Sequence, residues 1–134
     1  MKYFTIDEAN HALTLVRPIV SDILEKMRAA ERIHGEVKGE KTRAAMSEIT
    51  LSEKLKEAEQ LLNKVEYHMK ELESVGVSLK DLHIGLVDFP CMNGELVVFL
   101  CWKFGESEIA FWHEANRGFA DRKAVDESFH RVSV

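Results

Sequence analysis

A chain of 134 residues, 46% hydrophobic and 31% charged, has the balance of one globular domain able to bury a core, which excludes disordered and collagen-like architectures. A formal net charge of −5 argues against non-specific attraction to nucleic acid or anionic lipid. The opening Met1–Thr5 carries no apolar signal region, the longest apolar run is Leu96–Trp102, and the two cysteines lack CxxC spacing, so the expectation is a cytoplasmic protein with no membrane segment and no disulfide framework.

The first predicted element is a helix opened by Thr5-Ile6-Asp7-Glu8. This is a capping box: the Thr5 hydroxyl accepts from the Glu8 amide while Glu8 reaches back. Apolar residues then fall at Ile6, Ala9, Leu13, Val16, Val20, Ile23, Met27 and Ala30, a seam in steps of three and four. Pro18 lies within the seam and removes the hydrogen bond to the Thr14 carbonyl, so a bend is expected there and not a stop. Gly35 and Gly39 end the helix, and residues 42–49 carry no clean pattern. Thr50-Leu51-Ser52-Glu53 reads as a second capping box. The seam after it runs through Leu51, Leu55, Ala58, Leu62, Val65, Met69 and Leu72, with Gly76 as the stop. Two such helices predict an antiparallel hairpin over 1–76. Leu15, Ile19, Leu24 and Leu61 fall off the seams and need cover from elsewhere.

Residues 77–119 read as a small sheet. Between Leu86 and Phe119 lie seven of the eleven aromatic residues and two turn signals. With Asn93-Gly94 at the centre of a type I′ turn, Asp88 faces Phe99 and Pro90 faces Val97. With Gly105-Glu106 as a II′ turn, Phe99 faces Trp112 and Val98 faces His113. The result is a three-stranded antiparallel meander, with Pro90 on an edge strand. One face carries Val87, Phe89, Cys91, Leu96, Val98, Leu100, Trp102, Ile109, Phe111 and His113, and would pack on the helices. The other carries Asp88, Val97, Phe99, Cys101, Ala110, Trp112 and Glu114, and is apolar enough to need a cover of its own. Residues 120–134 form a C-terminal tail. The predicted fold class is α+β, a long helical hairpin on one face of a three-stranded meander in a single domain.

The segments FTIDEANHAL…VRPIV, GLVDFP, CWKFGE and FWHE…GFADR resemble the prokaryotic family catalogued as domain of unknown function 2203. The resemblance runs from Phe4 to about Arg122. It implies no activity, substrate or cofactor.

His113-Glu114 is the most suggestive pair for chemistry, because a neutral imidazole binds metals and moves protons near neutral pH. It is not an HExxH motif, since Arg117 stands where a second histidine would be. The expected register puts His113 and Asp88 on opposite faces. Cys91, Cys101, His83 and His113 make a zinc set only on paper, since Cys91 and Cys101 also fall on opposite faces. His11, His34, His68 and His130 are scattered without ligand spacing. Asp88 with Arg117 and Arg122 makes a plausible charge pair tying the loop after the last strand to the sheet. An arginine beside Trp112 and Phe99 would also suit an anionic, planar ligand. No phosphate loop, dinucleotide fingerprint or nucleophile elbow is present.

Two functions follow. The first is a non-enzymatic interaction or structural protein that self-associates as a homodimer through the face bearing Trp112, with no cofactor. The rival is a small metal- or anionic-ligand-binding protein, with an enzyme as one form of it, and a site around Asp88, Trp112, His113, Glu114, Arg117 and Arg122.

Overall fold

A computed structural model describes residues 2–126 and 129 of the chain. Of the expected tail, residues 127, 128 and 130–134, His130 among them, lie outside the described residues.

Helix α1 (Ile6–Lys38) opens on the Thr5–Glu8 capping box, with Thr5 Oγ1 accepting from the Glu8 amide at 3.0 Å and Glu8 Oε1 from the Thr5 amide at 2.9 Å. It runs on through Pro18 and Gly35 and stops at Gly39, which takes an extended conformation. A five-residue helix, α2 (Glu40–Ala44), fills part of the stretch without a pattern. Helix α3 (Glu48–Val75) starts earlier than Thr50 suggests. Ser47 is the cap, its hydroxyl accepting from the Thr50 amide at 3.1 Å, so the expected second box lies inside the first turn. The chain must be extended where a helix is entered, and Ser47 is the residue with that geometry. Gly76 closes α3 with φ +100, its amide meeting the Leu72 and Glu73 carbonyls.

The hairpin is antiparallel: Lys54 near the start of α3 pairs with Glu36 near the end of α1 at 2.7 Å, and Gly76 lies against Lys2 and Phe4. Helix α1 buries a stripe wider than the seam alone, with Ile19 and Leu24 covered and Val20 and Leu24 against Gly85. That width follows from its position between α3 and the sheet. Helix α3 buries only Ala58, Val65 and Leu72 fully, seven residues apart. Among the described residues, no helix is long and apolar enough to cross a membrane.

The sheet has five antiparallel strands in sequential order: β1 (Ser78–Asp81), β2 (Leu86–Asn93), β3 (Leu96–Lys103), β4 (Phe111–Glu114) and β5 (Lys123–Ala124). The expected meander is its centre, flanked by two strands too short to leave a sequence pattern. Pro90 is therefore not on an edge strand. However, β1 pairs only with Leu86–Asp88, and the Pro90 carbonyl, on the side away from β3, accepts from the Phe4 amide at 2.7 Å. The proline nitrogen points the same way, so its missing proton breaks no ladder.

Two register corrections matter. At the first hairpin Asn93 faces Leu96 and Pro90 faces Phe99, so Gly94-Glu95 is the turn. Gly94 has φ +67 and no described non-glycine residue has positive φ, which fits glycine first in a II′ turn and rules out Asn93-Gly94 as type I′. This two-residue slip leaves both faces of β2 and β3 as expected. At the second hairpin Phe99 faces His113 and Leu100 faces Trp112, a slip of one residue. A one-residue slip exchanges the faces of an entire strand. Trp112 therefore packs against the core with Phe129, ring centroids 5.3 Å apart, while His113 joins Asp88 and Cys101 on the other side.

The cause is the connection. The Glu106 amide meets the Lys103 carbonyl at 3.0 Å, putting Gly105 (φ +105) third in the turn, as a type II turn requires. Residues 106–110 then cross irregularly, held to α1 by the Ile109 amide on Asn10 Oδ1 at 2.7 Å and by Arg17 on the Ser107 carbonyl. Strand β4 resumes only at Phe111.

Val87, Phe89, Cys91, Val98, Leu100 and Trp102 face the helices and close the core with Phe4, Leu13, Val16 and Ile23. Trp102 is fully buried and its indole Nε1 donates to the Glu106 carbonyl at 3.0 Å.

Candidate functional site

The face of the sheet away from the helices carries the chemistry. Asp88, in the middle of β2, lies opposite Cys101 on β3; His113, on β4, lies opposite Phe99. Asp88 and His113 reach across β3, and Nε2 of the imidazole stands 3.1 Å from the carboxylate Oδ1. Both are buried, at 4% and 3% exposure. The expectation that they lie on opposite faces is thus overturned by the one-residue slip of β4.

The proton inventory of this pair follows from its partners. His113 Nδ1 is 2.8 Å from the Glu114 carbonyl, which can only accept, so Nδ1 carries a proton. Nε2 and Oδ1 make the other hydrogen bond of the ring, in a site almost closed to solvent. The Phe99 ring lies on the imidazole, centroids 5.7 Å apart and planes 29° from parallel. Behind them, Cys101 is fully buried; burial, with Asp88 alongside, pushes its thiol up to about 12. It therefore holds its proton at neutral pH and is not a ready nucleophile. Cys91 faces the core on the opposite side, as expected, and burial raises its thiol to about 11.

The pair forms the floor of a cleft of about 380 Å3, a size suited to a small ligand. Its walls include Leu86, Phe99 and Phe119, and Lys80 and Arg117 stand at its margin. Lys80 is presented by an irregularity in the β1–β2 pairing between Leu79 and Asp81. Asp81 fixes the turn beyond it, its carboxylate accepting from the His83 and Ile84 amides at 2.7 and 3.0 Å, which holds that carboxyl below its ordinary value. Arg117 is placed by a turn in which its amide donates to the Glu114 carbonyl at 3.0 Å. Neither cation makes a salt bridge among the described residues.

Of the six residues singled out from sequence, the structure brings Asp88, His113 and Arg117 to one cleft. The other three are elsewhere. Trp112 is on the helix side with Phe129. Glu114 follows it there and pairs with Lys123, which holds its carboxyl below the usual range. Arg122 does tie the loop to the sheet, but through Glu106 at 3.0 and 3.1 Å and not through Asp88. Its guanidinium lies over Phe111 and Phe119, 4.1 and 4.4 Å from their centroids, and so covers the part of this face beside the cleft. His83 pairs with Glu31 of α1 at 2.9 Å and takes no part.

Sequence reasoning named Cys101 only in a zinc set with Cys91, His83 and His113 that it set aside, never with Asp88, and it missed Lys80. Cys101 was recoverable, because the expected register already placed it on the face of Asp88. Lys80 had no signal, since it depends on an unpredicted strand. Asp88, Cys101 and His113 each offer one donor atom, and these atoms all lie within 4.8 Å of one another.

The chain belongs to the family described as uncharacterized conserved protein (DUF2203), whose model matches residues 2–125. No curated protein and no solved structure matches it.

Proposed function

We propose that this protein binds a small anionic ligand bearing a planar or apolar group in the cleft above Asp88 and His113. One observation carries the reading: a buried, hydrogen-bonded histidine–carboxylate pair lies at the floor of a cleft whose margin holds two cations that make no salt bridge among the described residues. Burying an ionisable pair costs several kcal/mol of desolvation per charge, so it is a poor choice for stability alone. Lys80 and Arg117 complement a carboxylate or phosphate, Arg117 by a two-pronged contact if the ligand enters far enough. Phe99 and Phe119 offer ring faces to the remainder, and the pair below can donate or accept a hydrogen bond.

The test is a thermal-shift panel of aromatic carboxylates and phosphate monoesters, with isothermal titration of the best member. Binding should weaken about tenfold or more in Lys80→Ala and in Arg117→Ala, the loss of one charged contact. A panel without a single stabilising member, or binding indifferent to both substitutions, retires the reading.

Self-association is a second reading, now supported by a different surface. Trp112 no longer shares a face with Val97, Phe99 and Cys101. However, Leu55 and Leu62, expected in the α3 seam, are 44% and 39% exposed, seven residues apart on one side of the helix. A homodimer through α3 would be weakened by Leu55→Lys with Leu62→Lys. A monomer at tens of micromolar by light scattering ends this reading.

A further inference from the structure

We infer that Asp88, Cys101 and His113 form a three-ligand site for a divalent transition-metal ion of the zinc class, with its fourth position open to the cleft. The inference deepens the cleft reading and rests on it for what occupies that fourth position.

Three observations carry it. First, a thiol, an imidazole nitrogen and a carboxylate oxygen converge from adjacent strands within 4.8 Å, all from buried residues. Ligand atoms around a tetrahedral zinc ion are about 3.5 Å apart, given bonds of 2.0 to 2.3 Å, so no separation needs to close by more than about 1.3 Å. The imidazole and carboxylate are already at 3.1 Å.

Second, the histidine is oriented as a ligand. Its Nδ1 proton is committed to the Glu114 carbonyl, which turns Nε2 inward. A backbone carbonyl behind the other ring nitrogen is the arrangement that sets the tautomer of metal-bound histidines.

Third, the charges close. A carboxylate and a thiolate neutralise a divalent ion, and Arg122, whose guanidinium reaches the Cys101 carbonyl, is already paired with Glu106. The donor set selects the metal: sulfur and nitrogen favour zinc, cobalt or iron(II) over magnesium and calcium, which prefer oxygen alone. An anion held by Lys80 and Arg117 would then have the metal as its third contact.

Binding takes Cys101 as the thiolate, so its proton leaves to solvent, and the His113–Asp88 hydrogen bond gives way to bonds from both groups to the ion. No oxidation or reduction is involved.

The experiment uses the full chain without an affinity tag, stripped with chelator and then titrated with Co2+, with Zn2+ in competition. The expected result is one equivalent bound, a thiolate-to-cobalt charge-transfer band in the near ultraviolet, and proton release in weak buffer. Cys101→Ala should abolish the band, and Asp88→Ala and His113→Ala should each lower affinity on the order of 100-fold. Circular dichroism melts confirm that each variant is folded, and Cys91→Ala serves as the control that keeps the band. Absence of the band in the unsubstituted protein overturns the inference, as does a band that survives Cys101→Ala.

The two readings separate cleanly. If the aromatic anions bind the stripped protein in a manner dependent on Lys80 and Arg117 while cobalt does not bind, the cleft reading stands and the metal falls. If cobalt binds as described and no anion does, the metal site stands and the cleft reading falls.

Discussion

The Asp88–His113 pair gives the most demanding test of the site, and stability measured in chelator is the place to begin. Asp88→Ala leaves the imidazole Nε2 without its partner in a site 3% exposed. If the ring stayed charged the cost would be about 3–5 kcal/mol, the penalty for an uncompensated buried ion. The ring can instead be neutral, which lowers the cost to that of an unsatisfied buried acceptor, about 1–3 kcal/mol. The expected loss is therefore about 2–3 kcal/mol. At the usual entropy of unfolding for a domain of this length, each kcal/mol lowers Tm by about 3–4 °C, which gives a drop of roughly 6–12 °C. His113→Ala should cost as much or more, because it also removes the ring stacked on Phe99. Each single change orphans the other group, so the double variant should cost less than the sum, with a coupling of about 1.5–3 kcal/mol. Asp88→Asn keeps the shape and can donate to a neutral Nε2, so it should cost only about 1 kcal/mol. Urea unfolding of the four proteins in the cycle decides the matter. A coupling under about 0.5 kcal/mol would mean that solvent reaches and satisfies both groups, and the argument from a buried hydrogen-bonded pair would fail.

Three further outcomes follow from particular contacts. Gly85 has φ +72, and a Cβ there would stand 2.7 Å from Phe104 Cβ and 3.0 Å from Val20, so Gly85→Ala should cost more than about 2 kcal/mol in urea unfolding; a neutral substitution would refute the packing of α1 on this turn. Burial raises the Cys91 thiol to about 11 in the folded chain from an ordinary value of 9.0, so the folded state holds its proton more tightly. That contribution is complete below pH 9 and is lost as pH rises towards 11, with a slope of up to about 1.4 kcal/mol per pH unit. Urea melts across this range should fall less steeply in Cys91→Ala, and parallel curves for the two proteins would contradict the assignment. Pro18→Ala gives α1 back an amide able to reach the Thr14 carbonyl, and should stabilise by about 1 kcal/mol in urea unfolding; a loss of stability would show that the packing of α1 depends on the backbone shape the proline imposes.

How much of this was legible in the sequence depends on the range of the interaction involved. The Thr5–Glu8 box and the Gly76 stop were readable because caps are made by residues within a few positions of one another. The two faces of β2 and β3 were readable for a similar reason, since alternation survived a two-residue error in the turn. Even Cys101 beside Asp88 was available on that basis. The position of β4 was not. Its register depends on residues 106–110 being held to α1 by Asn10 and Arg17, 99 and 90 residues away in the chain, and no local pattern reports such contacts. The one-residue difference moved Trp112 to the helix side, against the core, and His113 out to Asp88, and thereby converted an expected apolar interface into a polar cleft. Strand β1 and its Lys80 were likewise invisible, because four residues make a strand only when a neighbour is there to pair with them. Sequence determined the helices, the sheet's hydrophobic alternation and the family; tertiary structure alone decided which side chains meet, because a site assembled from three strands depends on registers set by distant contacts.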